Sequence, residues 1–391
     1  MIGLNNQDRS LEVIATSPIN IALVKYWGKV DEDYIIPWNS SLSITIDQND
    51  LCSKTRIRLV QADESDEQIE LILNGKKDKV TKRIMNVVNA IRERTEGVTI
   101  KQIRDGNQIE THFEKEELLK MKIMIESENN FATASGLASS SSGLSCLSFA
   151  LAELFGVKES FEGEYSTFAR LGSGSACRSL YGGFVQWHCG FSSRDQLDSL
   201  SKEELSRKSI AKQIDISSES MNYWLDNLQI AICCVKPEKD QGLTKEIPST
   251  DGMKITIDTS ELMRARLDCN LPQKHIEQLT MTLENRDFNS FAEITIKETN
   301  QLHAVCLDSY PPIFYINERT KKIIKQALKI NKEKGKNIVA YSIDAGFHVF
   351  LFIMKEDKEF VLNEFKDLIE NDMDRLIQTR IGREGVKIIK E

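Results

Sequence analysis

The chain has 391 residues, 40% hydrophobic and 28% charged with only 7 prolines, a composition that excludes collagen-like, disordered and low-complexity classes. Its 59 acidic and 51 basic side chains leave a formal charge of -8, which argues against a nucleic-acid binder or a basic membrane-surface protein; any anionic ligand must be held by a local pocket. The length exceeds what one hydrophobic core usually fills, so two packed lobes are expected.

Alternating, strand-like patterns open the chain at 11–15, 41–46 and 54–60; in the last, Ile57 and Leu59 alternate with Arg56 and Arg58. Apolar residues at Val80, Ile84, Val87, Val88 and Ile91 give 79–94 helical spacing, with Gly97 placed to stop the helix. A strand at 121–125 leads into a run of small residues, after which Leu144, Leu147, Leu151, Leu154 and Phe155 form a helical stripe ended by Gly156. A short helix at 164–171 and a strand at 181–188 follow. From 192 to 219 the composition turns polar, as in a surface helix or an interdomain connection, and the expected division is 1–215 and 216–391. The second part starts with an apolar strand at 228–235. It continues through helical patterns at 260–269, 275–284, 288–302 and 319–334, and closes as strand, hairpin, strand and helix. This clustering predicts an α+β lobe with helices on one face of a sheet.

The eight cysteines form no CxxC pair and the five histidines no HxxxH spacing, so reduced thiols and no zinc site are expected. The first residues lack an apolar signal core, the longest apolar run, 349–354, falls far short of the ~20 residues that span a bilayer, and the terminal KIIKE is no lipidation box. A cytoplasmic protein without a membrane anchor is the expectation.

Four segments could hold chemistry. The run 129–143, with Gly136, Ser139, Ser140 and Ser141 near its end, sits at a strand-to-helix junction, where free backbone N–H groups and the helix dipole attract anions. It lacks GxxxxGK[ST], and no GxGxxG follows a strand; the alternative is a serine-rich cap with no ligand. The cluster 172–178 adds Ser173, Ser175 and Arg178, a residue suited to gripping phosphate or carboxylate, against a plain turn with a surface salt bridge. Segment 17–29 holds Asn20, Lys25, Tyr26 and Lys29, suited to a phosphate pocket or to a solvated face. Asp344, in a turn between two apolar strands, is either a hairpin residue or a general base. No GxSxG elbow or cysteine–histidine pair supports a hydrolase.

Taken together, SPINIALVKYWGK, PWNSSLSITI, ENNFATASGLASS, GSGSACRSLYGGFVQW, STDGM and DAG, collinear over nearly the whole chain, resemble the diphosphomevalonate decarboxylases of the GHMP kinase superfamily. The resemblance implies a two-lobed α+β fold, a ribosomal protein S5 domain 2-like N-terminal lobe against an α+β C-terminal lobe, with the active site in the cleft between them. It implies ATP- and Mg²⁺-dependent decarboxylation of mevalonate diphosphate to isopentenyl diphosphate, in the mevalonate pathway of isoprenoid and sterol biosynthesis, by a homodimer. Asp344 would orient or deprotonate the 3-hydroxyl and Lys25 would pair with it, with Arg178 the third catalytic residue. Ser139 and Ser140, flanked by Gly136 and Ser141, would contact the ATP phosphates. Ser173, Ser175 and Arg178 would hold the substrate's diphosphate and carboxylate, Asn20, Tyr26 and Lys29 would line that site, and Arg83 would bind diphosphate. The Mg²⁺ ligands are not located. Ala132, Ser135, Ser141, Ser142 and Phe347-His348 depart from the family pattern. A related enzyme that stops at 3-phosphorylation or prefers mevalonate or its monophosphate, and a non-catalytic ligand-sensing homologue, are the alternatives.

Overall fold

The structure, a computed structural model, describes residues 2–5, 9–62, 67–104, 107–131, 139–237 and 246–390. Strand Cys52–Val60 alternates strictly, placing Ser53, Thr55, Ile57 and Leu59 inward and Arg56 and Arg58 toward solvent. It pairs antiparallel with Ser10–Pro18 (Leu11 opposite Leu59) and with Lys122–Asn129 (Ile125 opposite Ile57). Among the described residues these strands belong to a 7-stranded sheet ordered Gly3–Asn5, Ser10–Pro18, Cys52–Val60, Lys122–Asn129, Ile69–Leu73, Lys76–Asp78. The seventh strand, Lys387–Ile389, returns to Ser10–Pro18 along the edge that Gly3–Asn5 partly covers. Helices Lys82–Arg94 and Ser139–Leu154 cover one face through Val87, Val88, Ile91, Leu147 and Leu151.

Among the described residues there are also two 4-stranded sheets and two 2-stranded ones, Val98–Arg104 with Asn107–Phe113 and Lys29–Asp31 with Ile36–Pro37. Of the 4-stranded sheets, one runs Ala211–Gln213, Phe184–Trp187, Ser41–Thr45, Asn20–Val24; the other runs Val339–Ser342, Val349–Met354, Leu228–Val235, Met373–Arg380. The second is the apolar strand pattern expected at 228–235, covered by helices Leu271–Glu284, Phe288–Leu307 and Glu318–Lys334. One buried cluster joins these two sheets, from Ile19, Ile21 and Leu42 to Ile232, Phe291 and Phe352. Trp224 lies at the joint: fully buried, it meets Phe184 edge-on at 6.2 Å and Phe291 at 5.3 Å, and its indole N–H donates to the Leu283 carbonyl at 2.7 Å.

The structure departs from the expected elements at several points. Helix Lys82–Arg94 starts three residues later than its apolar spacing suggests, because the Thr81 hydroxyl caps it by accepting from the Ile84 N–H. Thr95 ends it, and Gly97 instead lies where a Cβ would come within 2.7 Å of the Phe113 carbonyl. The polar stretch after 192 forms helices Arg194–Ser199 and Lys202–Lys208 and then the strand Ala211–Gln213, so it reaches the sheet. The chain closes on two strands, Met373–Arg380 and Lys387–Ile389, where a helix was expected; the short helices Lys358–Glu364 and Lys366–Asp372 precede them. Both strands are only partly buried, which removes the apolar alternation that would mark them. Helix Ser249–Thr259 and the hairpin Val98–Arg104 with Asn107–Phe113 were not anticipated.

Replacing Trp224 by Ala removes the side chain that joins two sheets and the indole bond to the Leu283 carbonyl. Chemical denaturation should show a loss of about 3–5 kcal/mol, with a midpoint unchanged from wild type contradicting the assigned joint.

Candidate active site

Lys25 follows the strand Asn20–Val24, whose pairing with Ser41–Thr45 is broken by a bulge between Ala22 and Val24. Its ammonium is 2% exposed and turns back under the strand, donating to the Ala22 carbonyl at 2.9 Å, the Ser342 hydroxyl at 2.7 Å and an Asp344 carboxylate oxygen at 2.7 Å. The Ser342 hydroxyl in turn donates to Ala22 at 2.6 Å. Burial lowers the Lys25 pKa below the ordinary lysine value, and the neighbouring Asp344 carboxylate opposes that shift. Asp344 itself is half-exposed, so the pair is sealed on the lysine side and open on the carboxylate side.

The turn that presents Asp344 joins Val339–Ser342 to Val349–Met354. The two residues that depart from the family pattern anchor it. The Phe347 carbonyl accepts from Thr320 at 2.7 Å, and His348 Nδ1 accepts from the Val235 N–H at 3.1 Å.

Arg178 sits in the 3-10 turn Gly174–Leu180 that follows helix Glu164–Gly172. It is 3% exposed, donates to the Asn20 side-chain oxygen at 3.3 Å and the Ser41 hydroxyl at 2.8 Å, and lies 5.9 Å from the Trp187 ring centre. Both hydrogen-bond partners are neutral, and burial lowers its pKa, so this cation is short of negative charge. Gly174 is required beside it, because a Cβ there would stand 2.8 Å from the Tyr26 ring.

These groups open on one cleft of about 430 Å³, lined by Lys25, Tyr26, Lys29, Arg83, Ser140, Ser173, Ser175, Arg178 and Asp344. Four lining residues are cations and one, Asp344, is a carboxylate, a local reversal of the acidic average that calls for anionic ligands. Lys29 also pairs with Glu32 at 2.5 Å outside the lining, and Arg83 donates to the Thr250 hydroxyl at 3.0 Å across the cleft. Asn20 stands one layer back from the expected place on the wall: it is 2% exposed and acts through Arg178, Ser179 and the Ser175 carbonyl. Ser141 is fully buried and outside the cleft lining, as is Ser142, which shares a hydroxyl contact of 2.7 Å with Ser53. Ala132, Ser135 and Gly136 lie outside the described residues; Ser139 begins the helix Ser139–Leu154, but its side chain is not described.

The residue patterns missed part of the wall. Ser249, Thr250 and Met253 come from helix Ser249–Thr259; the STDGM motif marked this segment without giving its residues a role, and its Gly252 is where a Cβ would stand 2.3 Å from the Tyr315 hydroxyl. A larger cavity of about 950 Å³ lies between residues 188–212 and 267–277, and none of the expected site residues lines it. Among the described residues no three His, Cys, Asp or Glu side chains gather as a metal site, and no helix is long and apolar enough to cross a membrane.

This fold and cleft define a two-lobed α+β protein of the GHMP kinase superfamily. Residues 17–201 match the family model of the diphosphomevalonate decarboxylase-like N-terminal domain, and residues 230–388 match that of the mevalonate 5-diphosphate decarboxylase C-terminal domain. The chain belongs to the diphosphomevalonate decarboxylase family. The diphosphomevalonate decarboxylase of Danio rerio is 38% identical over 360 residues, 92% of this chain and 79% of that one. The Homo sapiens counterpart is 38% identical over 351 residues, 89% of this chain and 78% of that one. Among solved structures, mevalonate diphosphate decarboxylase from Trypanosoma brucei has a TM-score of 0.78 at 30% identity, covering 97% of this chain and 98% of that one. MDDEF in complex with MVAPP, AMPPCP and magnesium has a TM-score of 0.75 at 28% identity, covering 98% of this chain and 100% of that one.

Ser342→Ala deletes one acceptor of a buried ammonium. It should lower folding stability by about 1–3 kcal/mol and move Lys25 deprotonation to lower pH, since the lost bond favoured the charged form. Denaturation and an NMR titration of lysine ε-methylenes, with Lys25→Met giving the assignment, check both.

Proposed function

We propose that this cleft converts mevalonate 5-diphosphate to isopentenyl diphosphate, CO₂, ADP and phosphate by phosphorylating the 3-hydroxyl with ATP and then letting the new phosphate leave. The carrying observation is the 2.7 Å Lys25–Asp344 pair at the wall of a cation-rich cleft. Family membership supports the same activity.

Asp344 orients the tertiary hydroxyl and takes its proton as the oxygen attacks the terminal phosphoryl group. Lys25, its side-chain nitrogen held by the Asp344 carboxylate and two neutral acceptors, stabilises the charge that builds on that group. Phosphorylation turns a poor leaving group into a good one. When phosphate departs with the C–O electron pair, the bond to the carboxylate carbon breaks and its electrons form the alkene. Arg178, Ser173 and Ser175 hold the substrate's carboxylate and diphosphate, with Asn20 fixing Arg178 from behind. Tyr26, Lys29 and Arg83 complete that subsite, and Ser139 and Ser140 meet the nucleotide phosphates at the start of their helix.

The related MDDEF was captured with AMPPCP and magnesium, which supports ATP and Mg²⁺ as the requirements here. The donor set fits an ion that would be held mainly by nucleotide phosphates, with the Ser140 hydroxyl the protein oxygen available from the helix start within the same cleft. When bound, Mg²⁺ supplies charge neutralisation on the phosphates. In this reading the lobes are 1–215 and 216–391, a division supported by family models matching 17–201 and 230–388. A cytoplasmic homodimer, implied by the resemblance, belongs to the same reading.

The test supplies ATP, Mg²⁺ and mevalonate diphosphate labelled at C1, and follows released CO₂ and ADP. Equal yields are expected; ADP without CO₂ would indicate a 3-kinase, and neither product a non-catalytic homologue. Asp344→Asn should lower kcat by about a thousandfold or more while nucleotide affinity stays near wild type. A nearly normal kcat would remove Asp344 from the mechanism.

A further inference from the structure

Glu298 lies on the inner face of helix Phe288–Leu307 and is completely buried. Burial alone would drive a carboxyl group neutral, yet Arg266, with hydrogen bonds from His275 and Arg266, outweighs that and holds its pKa down at about 2. Arg266, from helix Glu261–Asp268, donates to both carboxylate oxygens at 3.0 and 2.7 Å, and His275 of helix Leu271–Glu284 bonds one of them. The second oxygen also accepts the backbone N–H of Lys25 at 3.1 Å, while the Lys25 carbonyl accepts from the Asn39 amide at 3.0 Å. Both backbone groups of Lys25 are therefore gripped by buried side chains. These grips sit where strand Asn20–Val24 has already ended in a bulge and no ladder partner fixes the peptide.

We propose that Glu298 is a positioning residue for the Lys25–Asp344 pair: with Arg266 and His275 behind it, it fixes the Lys25 peptide so that the ammonium is aimed under Asp344. The inference rests on the phosphoryl-transfer role given above to Lys25. Arg266 and His275 fill one oxygen, and the other, shared with Arg266, keeps the lone pair that accepts the Lys25 N–H and so ties the three-helix group to the end of the strand that carries Lys25.

The grip has an electrostatic side. The charged and titratable groups facing Lys25 are Asp344 from the turn, Glu298 and His303 from helix Phe288–Leu307, and Arg178 from the turn Gly174–Leu180. Burial pushes His303 down to about 3, so it is neutral; Asp344 and Glu298 favour the ammonium and Arg178 disfavours it. Removing the Glu298 charge, which also leaves Arg266 uncompensated, must let Lys25 lose its proton at lower pH.

The experiment uses the full chain as Glu298→Gln and as Glu298→Gln/Arg266→Gln, which also removes the orphaned cation, with circular dichroism confirming the fold. Both should show kcat reduced about 10- to 100-fold, the scale of a small misplacement of a catalytic group, with KM for mevalonate diphosphate within about threefold of wild type. In Glu298→Gln the alkaline limb of the kcat profile and the Lys25 NMR titration should both move acidward by about one unit. Turnover within twofold of wild type with an unmoved alkaline limb overturns the proposal, as does full recovery of kcat in the double variant, which would make the orphaned Arg266 the cause. If wild type shows no turnover of mevalonate diphosphate, the proposed function fails, and the Lys25 titration alone still decides whether Glu298 governs this lysine. If neither variant folds, His275→Phe removes a single bond, because the ring that replaces the imidazole has no donor at the Nδ1 position, and should shift the same two readouts in the same directions by less; unchanged readouts there overturn the proposal.

Discussion

A lysine ammonium buried at 2% exposure is the constraint around which this cleft is built. Its solvent must be replaced by oxygens, and no single element supplies enough. Ala22 comes from its own strand, Ser342 and Asp344 from the end of a strand more than 300 residues later and the turn beyond it. The edge strand Asn20–Val24 that leads to Lys25 and the edge strand Val339–Ser342 that leads to Asp344 consequently have to lie beside one another, which the apolar cluster shared by their two sheets around Trp224 accomplishes. Packing at that joint and polarity at the cleft are two ends of one arrangement: the first sets the second to within a hydrogen bond.

The second organising effect is imbalance of charge. A chain with a formal charge of -8 gathers Lys25, Lys29, Arg83 and Arg178 around a single carboxylate. Arg178 in particular is surrounded by amide and hydroxyl groups, which satisfy its geometry without cancelling its charge. Polyanionic substrates complete such a site, and buried Arg178 is held ready by neutral neighbours so that little reorganises when they arrive.

Much of this was legible in the residues. Period-2 patterning located Cys52–Val60 because the strand has one wet face, and 3.6-residue spacing located Lys82–Arg94 and Phe288–Leu307 because each buries one stripe. The charged residues that line the cleft at Lys25, Lys29, Arg178 and Asp344 lie in short motifs already visible in the sequence. What stayed hidden depends on distance in space. Asn20 opens the strand that leads to Lys25 yet lies behind Arg178 in the fold, because alternate strand residues face opposite ways and Lys25 follows a bulge. Ser141 and Ser142 look identical to Ser140 until the helix turns them inward. Arg266, His275 and Glu298 have no local pattern at all; they are single polar positions on three helices, ordinary surface residues by composition, and only tertiary packing makes them one group.

The return of Lys387–Ile389 to the first sheet bears on the order in which the molecule can assemble. Ile14, Ala15 and Thr16 are paired by residues made only after both lobes have been synthesised. Until then that stretch of Ser10–Pro18 offers free backbone donors and acceptors to any extended chain nearby. Pairing of such high sequence separation forms slowly. During its own synthesis the chain therefore carries an open sheet edge in its earliest part, closed last by three half-buried residues, and this seam is where chaperone dependence or aggregation would first be felt.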